Sequence, residues 1–334
     1  MSERESLPVD EPGLTRTFIG DGRPLLYVVA VCLLFSGGFA LFLSAGRQLL
    51  PHDVAFLRMT ADELCELAGC RVVDFMIHDR VAWGGTLIGV GLLYLWLTAY
   101  PLSRGEPWAW WAIVVSGTVG FASFLGYLSY GYLDAWHGVG SLLLLPIFVV
   151  GLAKARSLLL EPRGLTTLLR PGTRFALGDT AGWGRALMLF ASGSMVVGGL
   201  TILTVGVTTV FVPQDLEFMR ISRAALDTVN PRIVPLLAHD RVGFGGGVAA
   251  TASAALICIW CARPSRTLWQ IIALSWFAVT ACAIGIHYLV GYRDLLHLAP
   301  AEIGAAIFLG GLIASARPML GARPSGIPSQ LPDP

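Results

Sequence analysis

Apolar residues in this chain come in long, nearly unbroken runs. They show neither the alternation of a half-buried strand nor the single stripe of a soluble helix. Eight runs stand out: Pro24–Gly46, Val81–Leu102, Pro107–Tyr130, His137–Leu152, Trp183–Val212, Val242–Ala262, Leu268–Val290 and His297–Ala314. Most reach the roughly 20 residues a helix needs to cross about 30 Å of hydrocarbon; the fourth and eighth are shorter. The pattern predicts an all-α polytopic membrane protein with eight transmembrane helices. Composition agrees, with 55% hydrophobic and 13% charged residues, against about 25% charged in soluble domains.

Polar positions then reveal a second regularity. "PHDVAFLRMT" (Pro51–Thr60) matches "PQDLEFMRIS" (Pro213–Ser222), "FMIHDRVAWGG" (Phe75–Gly85) matches "LLAHDRVGFGG" (Leu236–Gly246), and "GYLDAWH" (Gly131–His137) matches "GYRDLLH" (Gly291–His297). In the first helices, Gly37-Gly38 falls against Gly198-Gly199. Four matched blocks in one order predict a duplicated four-helix unit. Because four is even, the two copies should be parallel repeats about an axis along the membrane normal. The expected organisation is a tail over residues 1–23, a first membrane repeat over 24–154, a basic linker over 155–182, a second repeat over 183–316 and a disordered Pro-rich tail over 317–334. Between the first and second helix of each copy, Thr60 before "ADEL" and Ser222 before "RAAL" read as helix N-caps. They predict a short amphipathic helix lying over the mouth of the bundle.

Charge sets the expected orientation. Fourteen of the 23 cations fall on the linker side, chiefly Lys154–Arg185, which by the positive-inside rule places both termini in the cytoplasm of an inner-membrane protein. The stretch before Pro24 carries five acidic residues against three arginines, the wrong character for a cleaved signal peptide. A net charge of +1 gives no reason to expect nucleic acid as a partner. The expected partners are the lipid bilayer and a small-molecule, ion or quinone ligand. Cys32, Cys258, Cys261 and Cys282 lie in helices and read as buried apolar residues. Cys65 and Cys70 fall together in the loop opposite the linker, where a disulfide is open in an oxidising compartment.

The repeated polar residues are the candidate chemistry. Asp79 and Asp240 stand just before the apolar runs and read as N-caps of membrane helices; Asp134 and Asp294 read the same way for the fourth and eighth. Arg80 and Arg241 would then face the unfavourable end of the helix dipole. Each should need a carboxylate, with Asp53 or Asp134 available to the first and Asp215 or Asp294 to the second. They serve either as structural ion pairs or as a fork for an anionic ligand. His78, His137, His239 and His297 form two matched pairs beside aspartates, suited to hydrogen bonding, proton transfer, or a metal or haem. The glycines after each motif read as helix-packing positions. Two features break the symmetry: His287 stands where the first copy has Tyr127, and Glu302 lies about one turn inside the eighth helix. An intramembrane carboxylate is a functional candidate by default.

The "FMIHDRVAWGG" and "GYLDAWH" signatures resemble uncharacterised multi-pass bacterial membrane proteins over nearly the whole chain. Some such sequences carry a dihydroorotate dehydrogenase label. No room exists outside these helices for a flavin-binding barrel, so the resemblance implies at most a gene neighbour or a quinone-linked partner. The expected function is a small-molecule or ion transporter with a duplicated outward-facing His/Asp/Arg site; the alternatives are a metal-, haem- or quinone-linked membrane oxidoreductase and a membrane scaffold or assembly protein. No cofactor follows from the sequence alone.

Overall fold

The computed structural model describes residues 18–174 and 176–321, with Tyr127 described by its backbone only. The expected N-terminal tail up to residue 17 and the tail from residue 322 lie outside the described residues. Twelve α-helices and no strand occur among the described residues. They are α1 (Arg23–Ala45), α2 (Pro51–Leu57), α3 (Ala61–Ala68), α4 (Cys70–Ala99), α5 (Pro107–Ser123), α6 (Ala135–Ala155), α7 (Thr180–Val207), α8 (Pro213–Met219), α9 (Arg223–Val229), α10 (Ile233–Cys261), α11 (Arg266–Val290) and α12 (Leu295–Leu320). Eight of them, α1, α4, α5, α6, α7, α10, α11 and α12, are long and apolar enough to cross a membrane. The order long, short, short, long, long, long occurs twice.

Both halves start at the same end. The turn at Gly22 sits against Gly151 and Ala155 near the end of α6, and Gly184 near the start of α7 sits against Gly311 and Ser315 near the end of α12. The linker closes over this end. Gly172 N–H donates to the Trp260 carbonyl at 3.0 Å, Trp111 Nε1 donates to the Arg163 carbonyl at 3.1 Å, and Arg185 Nε donates to the Ile259 carbonyl at 3.1 Å. The short helices lie at the opposite, motif end.

The second long helix of each half is central. In their most apolar stretches α4 is 67% buried and α10 78%, against 22% to 39% for the other six. Each packs on the first helix of its own half, α4 on α1 and α10 on α7. Each also packs on the third long helix of the other half, α4 on α11 and α10 on α5. The halves are therefore interlocked rather than standing as two separate bundles. Small residues allow this closeness. A Cβ on Gly85 would come within 2.5 Å of Cys282 Cβ, and one on Gly247 within 2.3 Å of Thr86 Oγ1. In the first helices the close contacts belong to Gly37, against Gly84 and Ile88, and Gly199, against Gly245 and Ala249. Gly37 thus corresponds to Gly199, one residue away from the expected alignment on Gly198.

Two boundaries differ from expectation in ways that matter. The second and sixth spans begin at Cys70 and Ile233, not at Val81 and Val242. Val72, Val73, Phe75 and Met76, with Ile233, Val234, Leu236 and Leu237, are buried in a second apolar core beneath the short helices. That burial extends each helix past the point where Arg71, Asp74 and the His-Asp-Arg motif interrupt the hydropathy signal. Each motif consequently lies inside a helix, and Asp79 and Asp240 do not cap one. The first-turn position expected for Arg80 and Arg241 falls with it. The eighth span likewise runs to Leu320, with Pro318 inside the helix, so residues 317–320 are not part of a disordered tail.

Thr60 caps α3, accepting from Glu63 N–H at 3.2 Å, and Ser222 caps α9, accepting from Ala225 N–H at 3.2 Å. One further short helix precedes each, started by Pro51 or Pro213 at a position where the missing N–H costs nothing. Cys65 and Cys70 are joined by a disulfide between α3 and α4.

Candidate functional site

Three kinds of backbone position deliver the motif residues to one place between the halves. Asp53 and Asp215 lie in the first turn of α2 and α8, where their carboxylates accept Leu50 N–H at 3.2 Å and Val212 N–H at 2.8 Å. Asp134 and Asp294 cap α6 and α12, accepting His137 N–H at 3.0 Å and His297 N–H at 2.8 Å. The His-Asp-Arg triplets project from the interior of α4 and α10. The short helices above and the interlocked long helices around them bury all of these except Arg80 and Asp294, which are half-buried.

The ion pairs cross between halves. Arg80 reaches Asp53 at 2.8 Å, its own half's expected partner, and Asp240 of the other half at 2.9 Å. Arg241 pairs with Asp215 and lies 3.5 Å from Asp79, again one partner from each half. Its guanidinium also stacks 4.8 Å over the Phe75 ring. Tyr132 Oη donates to Asp53 at 2.6 Å, and Tyr292 Oη to Asp215 at 2.7 Å. Burial first, and then the adjoining carboxylates, push both phenols up, so they remain protonated donors. Each arginine thus faces two carboxylates, one from each half. Asp134 and Asp294 pair with neither arginine among the described contacts.

The chain contains six histidines, and all six fall into two clusters. In the first, His78, His287 and His297 bring ring nitrogens within 4.8 Å of one another. His78 Nε2 lies 3.0 Å from His287 Nε2. His78 Nδ1 meets Asp79 Oδ1 at 3.0 Å, and His287 Nδ1 meets the Ala283 carbonyl at 2.6 Å. Both oxygens are acceptors, so both Nδ1 atoms carry the hydrogen. In the neutral imidazoles the two Nε2 lone pairs then point at each other. His297 stacks on Tyr292 at 4.5 Å, and Tyr292 on Phe218 at 4.5 Å.

The second cluster is built around Asp134. Its Oδ2 lies 2.8 Å from His52 Nε2, 3.2 Å from His137 Nδ1 and 3.8 Å from His239 Nε2, while those last two nitrogens are 2.9 Å apart. Burial alone would raise the Asp134 carboxyl, but the hydrogen bonds and charge of His137 hold it well below the usual range.

Sequence symmetry pairs His78 with His137 in one half and His239 with His297 in the other. The structure instead places His78 with His297 and His239 with His137, across the halves. Each cluster also recruits one histidine its counterpart lacks: His287, and His52 where the second half has Gln214. His52 carries no repeat signal, which is why pattern reading passes over it; Tyr132 and Tyr292 were legible as the shared Gly-Tyr of the third block. Glu302 joins neither cluster, its carboxylate accepting from the half-exposed Tyr288. No family model, no curated protein and no solved structure matches this chain.

Proposed function

We propose that this is a membrane-embedded metalloprotein that holds a first-row transition-metal ion at His78, His287 and His297, as the centre of an oxidoreductase working with a membrane-soluble carrier of the quinone type. One observation carries the reading: two imidazole Nε2 atoms face each other at 3.0 Å, with their outer nitrogens anchored by Asp79 and by the Ala283 carbonyl. Opposed lone pairs repel unless a proton or a metal ion lies between them, and three converging imidazoles are a ligand set for the latter. Anchoring the far N–H on a carboxylate or carbonyl is how proteins orient metal-bound histidines. Two carboxylates, Asp79 and Asp215, around the single Arg241 guanidinium favour a cation here. Three imidazoles suit copper, iron or zinc, and the burial of His78 and His287 suits electron transfer better than turnover of a bulky substrate.

A second reading, transport of the same ion, is favoured by the hydroxyls of Thr86, Thr251 and Ser275, which lie between the central helices toward their middles. Ser192, Thr251, Ser275 and Thr280 line a cavity of about 30 Å³ there. Against it stands the interlocked packing, which opposes rocking of one half on the other.

Elemental analysis with visible and paramagnetic-resonance spectra of detergent-purified protein, beside a His78→Ala/His287→Ala variant, tests the proposal. A stoichiometric redox-active ion that is missing from the variant supports it. Stoichiometric zinc moves the reading to ion transport, to be followed by uptake into proteoliposomes. Equal metal content in both proteins overturns it.

A further inference from the structure

The Asp134 cluster has a different donor set from the three-histidine centre. We infer that Asp134, His137 and His239 form a second metal site, a two-histidine, one-carboxylate set that binds a ferrous-type divalent ion and keeps a coordination position open. The inference stands on its own ligands and does not require the His78 site.

Three potential ligand atoms face one another here. His137 Nδ1 faces His239 Nε2 at 2.9 Å and Asp134 Oδ2 at 3.2 Å, with only one hydrogen available on that nitrogen in the neutral ring. The three donor atoms converge within 4.8 Å of one another, a separation that neighbouring ligands of one ion can adopt. Asp134 Oδ1 is engaged by the helix cap, which fixes the carboxylate plane and aims Oδ2 at the imidazoles. His52 donates to the same oxygen at 2.8 Å, the kind of outer contact that orients a ligating carboxylate. Tyr132 packs edge-on against the His239 ring at 5.2 Å, and Trp83 against His137 at 4.6 Å, so both rings are held in place.

Donor chemistry selects the ion. Two imidazoles and a carboxylate, with positions left over, are the preferred set of non-haem ferrous iron and are shared by manganese and zinc. The all-nitrogen cluster lacks that oxygen. Each set supplies three protein donors, and in this one the His137 side chain, 23% exposed, is the ligand that reaches solvent. A closed site serves structure or electron transfer, whereas a reactive one keeps a position for water or a small ligand.

The test uses the full chain in detergent, with Co2+ as a spectroscopic count and Fe2+ with nitric oxide, without oxygen, as the probe of an open position. Wild type should bind two Co2+ per chain. His78→Ala/His287→Ala should retain one Co2+ and the paramagnetic iron–nitrosyl signal. His137→Ala/His239→Ala should retain one Co2+ and lose that signal. Asp134→Asn, which keeps the cap acceptor, should weaken Co2+ binding at this site by at least about 10-fold. Helical circular dichroism and gel-filtration elution check that each variant is folded. Wild-type binding and nitrosyl signal in a folded His137→Ala/His239→Ala protein overturn the inference while leaving the His78 centre untouched. One ion that is lost only from that variant overturns the His78 reading instead. No Co2+ bound by wild type overturns both.

Discussion

Arg80 and Asp240, 160 positions apart in sequence, bond across the interface between the two halves at 2.9 Å, and Arg241 returns the relationship toward Asp79. The helices carrying them are locked together by charges that neither half satisfies alone. Breaking such a buried pair from one side costs far more than the pair contributes, because the remaining charge has no solvent to turn to.

Arg80→Ala should therefore lower stability by about 3–5 kcal/mol, as Asp53 and Asp240 both lose their cation. Arg80→Lys should fall in between, since an ammonium lacks the fork that meets two carboxylates at once. Thermal unfolding in detergent measures this. An Arg80→Ala protein as stable as wild type would mean the crossing pair does not form.

Asp79 touches the His78 ring without belonging to the three-histidine set. Asp79→Asn should leave the ligands in place yet weaken metal binding about 10–100-fold. Competition with a chelator of known affinity reads the change. A variant that is equally tight would separate His78 from any anchoring by its neighbour.

Adjacent glycines in α7 should respond oppositely to one methyl group. A Cβ on Gly199 would come within 2.5 Å of the Ala249 backbone nitrogen, whereas Gly198 has nothing within 4 Å. Gly199→Ala should cost about 1–3 kcal/mol through forced separation of α7 and α10. Gly198→Ala should be neutral or gain up to about 1 kcal/mol from helix propensity. Equal effects would show that α7 does not pack on α10 in this register.

Glu302 is held by Tyr288 and contacts neither cluster. Glu302→Gln should leave metal content and the spectrum of the protein unchanged. A lost or shifted signal would return Glu302 to the functional set as a proton-coupling group.

The Cys65–Cys70 bond reports orientation as well as structure. Alkylation of the denatured chain should modify four thiols before reduction, those of Cys32, Cys258, Cys261 and Cys282, and six after it. Six reactive thiols without reduction would place the motif end in a reducing compartment and reverse the expected orientation.

Much of this protein is legible in one dimension. The eight apolar runs announce eight long helices because a bilayer offers backbone groups no partner except one another. Asp134 and Asp294 are recognisable as caps, since the residue three positions on supplies the N–H within the same turn. Arg80 and Arg241 do meet Asp53 and Asp215, although the helix-dipole ground for expecting it falls because both lie in the interior of their helices. What lay out of reach was every relationship that depends on which helix packs against which. Hydropathy stops at Val81, but the helix starts at Cys70, because contacts with the short helices, not the lipid, bury the intervening turns. His78 meets His287 across 209 positions only because α11 packs on α4 of the other half. Repeats mark which residues are equivalent and leave unsaid whether equivalents sit together or exchange partners. That choice is made by close packing at Gly85 and Gly247, where small side chains let helices of opposite halves meet.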